Sequence, residues 1–190
     1  MTKRIFAAID ISDEARTKVA EYVKNLKSEF SDLRVGWERP EKLHLTLKFF
    51  GDVDEPDLQR LTHVAIEAAA QMPKFNLRIA DTGVFPSQRK ARVLWLDVKD
   101  ETGSLYKLAN VFETNCAKNG FTKETRSFKA HLTIGRLREP EKSRELVEKH
   151  LESKFEPIKF EVSEIVIYES LLQKSGSIYS IVSKHKLREI

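Results

Sequence analysis

His44-Leu45-Thr46-Leu47-Lys48-Phe49 alternates polar and apolar residues, and His131-Leu132-Thr133-Ile134 repeats the pattern 131 − 44 = 87 residues later. Period two marks a β-strand with one packed and one open face. Each histidine therefore shares a face with the threonine two positions on, while Leu45, Leu47, Leu132 and Ile134 pack behind. A turn and a proline, Pro56 or Pro140, follow each stretch and open a helical pattern. The interval is too long for one helix-turn unit and fits one structural half, so the chain reads as two related halves with one motif each.

Working outward, residues 4–9 form a strand that is apolar on both faces, and Ser12-Asp13-Glu14 starts a helix over 13–30. The first motif strand spans 43–49, and a helix runs from Pro56 to Met72, where Pro73 stops it. Strands follow at 76–80 and 92–98 around a loop at 85–90, then a helix over 102–118, the second motif strand at 128–134 and a helix from Pro140 to Leu151. Strands at 159–162, 164–168 and 178–184 close the chain. This order predicts an α+β fold, a single bilobal domain over 1–190 whose two lobes face each other.

A length of 190 residues bounds the chain to one compact domain or two small lobes, and 41% hydrophobic residues exclude disorder throughout. Basic residues exceed acidic ones by 33 − 29 = 4, which permits a polyanionic ligand without requiring one. The lone cysteine, Cys116, has no partner for an internal disulfide and falls on the apolar face of its helix. That places it in the core and the protein in the cytoplasm. The apolar run at the start stops at Asp10, too short for a signal segment, and no run approaches the ~20 apolar residues of a membrane span.

If the two motif faces meet, two imidazoles and two hydroxyls converge on one groove. Phosphodiester chemistry needs that equipment: one imidazole to take a proton from the nucleophile, one imidazolium to protonate the leaving oxygen, and donors for the other oxygens. Residue types alone leave open which histidine is acid and which is base. No metal or other cofactor is required, because neither histidine has companions at ligand spacing. Among cations, Lys48 is four residues from His44 and falls on its strand face. Arg136, five from His131, needs a bulge at Gly135 to reach the same side. Arg89, Lys90 and Arg92 make a candidate basic rim, and Trp37, Phe50 and Trp95 are aromatics that could stack a base but fit the core better. His63, His150 and His185 lack a threonine two positions on and read as surface or helix-terminal residues.

The paired motifs resemble those of the two-histidine phosphoesterase superfamily, and within it the bacterial and archaeal RNA 2′,3′-cyclic phosphodiesterases, also called 2′-5′ RNA ligases. The likeness extends to Arg4-Ile5-Phe6-Ala7-Ala8-Ile9, Lys48-Phe49-Phe50-Gly51, Val84-Phe85-Pro86, Arg92-Val93-Leu94-Trp95 and Ser175-Gly176-Ser177-Ile178-Tyr179. It implies two pseudo-symmetric lobes of antiparallel sheet around a central trough, with helices outside. It also implies that His44 donates a proton to the departing 3′ oxygen, that His131 accepts one from water, and that Arg136 stands where a basic residue binds phosphate; from the residues themselves, Thr46 and Thr133 are expected to contact phosphate oxygens and Lys48 and Arg92 to bind substrate. The implied partner is RNA with a 2′,3′-cyclic phosphate end, tRNA fragments among them, with no obligate protein partner. Three alternatives stand beside this: ATP-independent 2′-5′ end-joining of RNA, hydrolysis of a small cyclic phosphate, and a non-enzymatic RNA-binding module.

Overall fold

A computed structural model describes residues 2–173 and 176–189, so Ser175 of the last matching stretch lies outside the described residues. The strands are β1 (Lys3–Asp10), β2 (Val35–Trp37), β3 (His44–Val53), β4 (Phe75–Phe85), β5 (Val93–Lys99), β6 (His131–Leu137), β7 (Ile158–Val162), β8 (Glu164–Gln173) and β9 (Gly176–Lys186). The helices are α1 (Asp13–Glu29), α2 (Glu55–Ala70), α3 (Ser104–Lys118) and α4 (Arg144–Glu152). Two antiparallel sheets result, one ordered β3-β1-β8-β9 and the other β2-β6-β5-β4-β7.

Helix starts follow local chemistry. The Ser12 side chain accepts the Ala15 N–H at 3.2 Å, with Asp13 and Glu14 set against the positive end of α1. Asp54 accepts the Asp57 N–H at 2.9 Å where α2 begins, with Pro56 in the first turn. Pro140 behaves differently: it opens only a short 3-10 turn over Pro140–Lys142, and α4 starts at Arg144. The second motif strand also starts later than its apolar pattern suggests, at His131, because residues 121–130 form no regular element. β2, three residues long, has too little alternation to be visible in sequence.

The lobes do not coincide with the sequence halves. β1-α1-β3-α2-β4 and β5-α3-β6-α4-β8 are equivalent units, yet β4 pairs with β5 and β8 pairs with β1, so each unit gives its last strand to the other sheet. The exchange joins both sheets to one hydrophobic core, which includes Ile5, Ala7 and Ile9 of β1, Leu94 and Leu96 of β5, and Cys116 of α3. No described helix is long and apolar enough to cross a membrane.

The same irregularity occurs in both motif strands. Ala8 pairs with Thr46 but Ala7 with Lys48, which leaves Leu47 as an extra residue. Trp95 pairs with Thr133 but Leu94 with Gly135, which leaves Ile134 as the extra one. Each is a β-bulge at the fourth motif position, and it inverts the facing of the fifth and sixth residues; in β3 a second bulge follows at Phe50, since Phe6 pairs with Phe49 but Ile5 with Gly51.

His150 is fully buried, not a surface residue. Its Nε2–H donates to the carbonyls of Gly83 and Trp95 at 3.1 and 3.2 Å, and its Nδ1 accepts from the Tyr22 hydroxyl at 2.8 Å. Burial lowers its pKa, and the neutral ring satisfies every partner. His185 is also buried, 2.9 Å from Ser183 Oγ, while His63 is exposed on α2. Gly83 has no room for a side chain, since a Cβ there would overlap the Trp95 indole. The Gly83→Ala variant is therefore expected to lose about 1–3 kcal/mol, the usual cost of overpacking. Chemical denaturation checks this.

Candidate active site

His44 opens β3 and His131 opens β6, with Asp10 of β1 opposite the first and Asp97 of β5 opposite the second. One local bond holds each ring: Nδ1 of His44 is 2.6 Å from the Lys42 carbonyl oxygen, and Nδ1 of His131 is 2.7 Å from that of Lys129. A carbonyl only accepts, so Nδ1 carries the proton and donates, which leaves Nε2 of both rings for chemistry. Nε2 of His44 lies 3.1 Å from Thr46 Oγ1. β3 and β6 touch, and His131 is near enough for its charge to lower the pKa of His44.

Aromatic walls back both imidazoles. Tyr179 meets His44 edge to face with centroids 5.5 Å apart, and Phe85 meets His131 the same way at 5.0 Å. The lysine that supplies each carbonyl also lays its ammonium on a ring. Lys42 is 5.5 Å from the Tyr179 centroid, and Lys129 is 4.6 Å from Trp95 and 5.0 Å from Phe85. The repeat is thus Lys-x-His-x-Thr with an aspartate one strand away, and 129 − 42 and 97 − 10 both equal the motif interval of 87. Laying the two halves of the sequence over each other at that offset exposes Lys42, Lys129, Asp10 and Asp97, which a search for His-x-Thr alone passes over.

The charges around the two rings differ. Burial is the largest influence on both and pushes each pKa below the ordinary histidine value. Among side-chain charges, His44 feels Asp10 first, which favours its imidazolium, against weaker opposition from Arg16 and His131. His131 feels Lys129 and Arg136 first, which favour its neutral form, against Asp97. Asp10 is itself held by the Tyr168 hydroxyl, which donates to both carboxylate oxygens at 2.8 and 2.9 Å.

The bulges decide where the cations stand. At Ile134 the bulge pairs Arg136 with Val93 and returns its side chain to the face of His131 and Thr133, with Nε 3.9 Å from Glu38 Oε1. At Leu47 the equivalent bulge carries Lys48 to the opposite face. There it is 7% exposed, bonded by Nζ to both Glu113 carboxylate oxygens at 2.9 and 2.8 Å and to the Thr122 carbonyl at 2.8 Å. The expected alignment of Lys48 with His44 is therefore corrected: regular alternation stops one residue before it. Arg92 is exposed ahead of β5, one position out of phase with Val93, and Arg89 and Lys90 are exposed on a 3-10 turn. None of the three belongs to the histidine grouping. Trp37 packs over Gly135, Phe50 against Phe112 and Phe121, and Trp95 is buried beneath Lys129. Among the described residues no group of three or more histidine, cysteine, aspartate or glutamate side chains could hold a metal ion.

Comparison with known proteins shows the family and the fold. The LigT like Phosphoesterase family model matches the chain twice, over residues 9–95 and 96–179. An RNA 2′,3′-cyclic phosphodiesterase of Methanothermobacter thermautotrophicus is 36% identical over 189 residues, which cover 98% of this chain and 100% of that protein. One from Archaeoglobus fulgidus is 35% identical over 178 residues, covering 93% and 96%. In fold, the chain is similar to TT0787 of Thermus thermophilus with a TM-score of 0.80 at 22% identity, covering 98% of each chain. It is likewise similar to E. coli LigT complexed with 3′-AMP, with a TM-score of 0.77 at 24% identity and all of both chains covered. With its duplicated motif and this likeness along nearly its whole length, the chain belongs to the LigT-like phosphoesterase family.

Proposed function

We propose that the protein hydrolyses 2′,3′-cyclic phosphate ends of RNA to 2′-phosphomonoesters by acid–base catalysis between His44 and His131. The observation that carries this reading is the matched tethering of two imidazoles on neighbouring strands, each with Nδ1 fixed by a backbone carbonyl so that Nε2 is turned away from the chain, in His44 toward the Thr46 hydroxyl. His131 takes a proton from water as the water oxygen bonds to phosphorus. The P–O3′ bond breaks, and His44 gives its proton to the departing O3′, so the product keeps its phosphate on O2′ and gains a 3′ hydroxyl. The order of charges supports this assignment: Asp10 beside His44 favours a ring that starts protonated, and Lys129 and Arg136 beside His131 favour one that starts neutral. Thr46, Thr133 and Arg136 donate to the non-bridging oxygens. Relatives named RNA 2′,3′-cyclic phosphodiesterase support the substrate class, and the free, buried Cys116 fits a reducing cytoplasmic setting.

His44→Ala and His131→Ala are each expected to slow turnover of a nucleoside 2′,3′-cyclic phosphate by about 10²- to 10⁴-fold. Thr46→Val and Thr133→Val are each expected to lower kcat/KM by about 10- to 150-fold, the loss of a hydrogen bond to a charged group. The pH profile of kcat/KM is expected to be bell-shaped and centred below the ordinary histidine pKa, because burial depresses both rings in the free enzyme. The bell for kcat is expected at higher pH, since a bound phosphate anion raises both values. Steady-state kinetics across pH checks each outcome, and wild-type rates in either histidine variant would contradict the mechanism.

A further inference from the structure

We infer that the backbone phosphates preceding the cyclic end of the RNA lie along a row of cations, Lys99, Arg78 and Lys159, on the sheet that carries His131. The inference rests on the reading of the substrate as RNA with a 2′,3′-cyclic end. Strand register places the row. His131 of β6 lies opposite Asp97 of β5; two residues on, with no slip between, Lys99 lies opposite Arg78 of β4, and Arg78 opposite Lys159 of β7. Side chains two apart on a strand, or directly opposite on neighbouring strands, share a face. All three cations therefore stand on the face of His131, one step of about 7 Å along the strands from its own row. Lys129 joins them to the site: it precedes His131 by two residues, and its ammonium lies over Trp95, two residues from Asp97 on that same face.

Like charges directly opposite one another repel, and here two such pairs adjoin. Carboxylates relieve part of the repulsion: Glu101 meets Arg78 at 3.0 Å, and Asp81 and Asp97 meet Lys99 at 2.8 and 2.7 Å. The Glu101 and Asp81 side chains are 64% and 67% exposed, and ion pairs so wet hold little energy and yield to a phosphate. Charge also separates this surface from the one beside His44. Lys74, Arg78, Lys99 and Lys159 line a depression with Glu101, whereas the depression beside Asp10 sets Asp10, Asp13, Glu161 and Glu164 against Arg16 and Lys184. A polyanion that leaves the histidines at this end therefore runs along the sheet of His131, and Glu161, two residues past Lys159, bounds its path. The row spans two strand spacings, about 10 Å, which is room for two phosphates. At the far end of β4 and β5, Arg89 turns toward α4 and shares a depression with Arg144 and Val147 instead of with the histidines.

The test compares an RNA hexamer ending in a 2′,3′-cyclic phosphate with adenosine 2′,3′-cyclic phosphate, which has no preceding phosphate, across a salt series. Each phosphate of a single strand that a protein neutralises contributes about 0.7 to the slope of log affinity against log salt. The Arg78→Gln, Lys159→Gln double variant is therefore expected to cut the salt slope for the hexamer by about 1.4, to raise its KM about 10- to 30-fold at ~0.1 M salt, and to leave KM for the adenosine substrate unchanged. Lys99 is kept, because it also holds Asp97 beside His131. Glu101→Gln, which releases Arg78, is expected to lower KM for the hexamer. The Arg89→Gln, Lys90→Gln pair removes the same charge from the turn between β4 and β5 and is expected to leave the hexamer at its wild-type KM. Equal rises from both double variants, a rise for both substrates, or no rise for either would overturn the row as the path of the chain and leave the hydrolase reading intact. Turnover of neither substrate by wild type would overturn the hydrolase reading and the inference built on it.

Discussion

An extra residue at the fourth position of each motif organises this site. Strand pairing β1–β3 and β5–β6 proceeds regularly through histidine and threonine, then slips at Leu47 and at Ile134. The slip turns the fifth residue into the core and the sixth into the trough. In one unit the fifth residue is Gly135, where a Cβ would come within 3.0 Å of Trp37; in the other it is Lys48, which the core accepts only because Glu113 and the Thr122 carbonyl satisfy its charge. Glu113 also accepts the Glu124 N–H at 2.8 Å, so this ion pair pins the segment that leads toward His131. The bulge thus links packing in one unit to the approach of the second motif strand in the other.

Duplication supplies two equivalent imidazoles, and the proposed acid–base chemistry requires them to differ. A general acid and a general base must hold opposite protonation states at one pH, which identical environments cannot provide. Here the tethering carbonyls and the cross-strand aspartates are shared, and the distinction comes from the neighbouring charges, Lys129 and Arg136 beside His131. Arg136 has no counterpart beside His44, because its position is taken by Phe49, and the Asp97 carboxylate is drawn away by Lys99 at 2.7 Å. Asp10, held by a neutral tyrosine hydroxyl, keeps its charge available to His44. The tyrosine is held neutral in turn, with burial and then the charge of Asp10 pushing its pKa far up.

Much of this is legible in the amino-acid sequence. Alternation about His44 and His131 marks both strands, and capping residues mark α1 and α2. What escapes is decided by tertiary packing. Strand exchange between the units is invisible to local periodicity, since β4 and β8 read the same whichever sheet they join. His150 carries no pattern separating a buried, fully bonded imidazole from a helix-terminal one; its partners Tyr22, Gly83 and Trp95 come from distant segments. Strict alternation assigns Lys48 to the trough, whereas Arg136 is granted a bulge because a glycine precedes it. Applying the bulge to both motifs, as the duplication demands, removes Lys48 and brings out Phe49.

The central claim is that two differently tuned histidines add water across a cyclic phosphodiester and expel the 3′ oxygen. Phosphorus NMR of adenosine 2′,3′-cyclic phosphate incubated with the pure protein in EDTA tests it most directly, because regiochemistry and dependence on added metal are read from one series of spectra. The account predicts that the cyclic resonance gives way to that of adenosine 2′-monophosphate, at a rate EDTA does not change. Formation of the 3′-monophosphate, or an unchanged cyclic resonance, would contradict it.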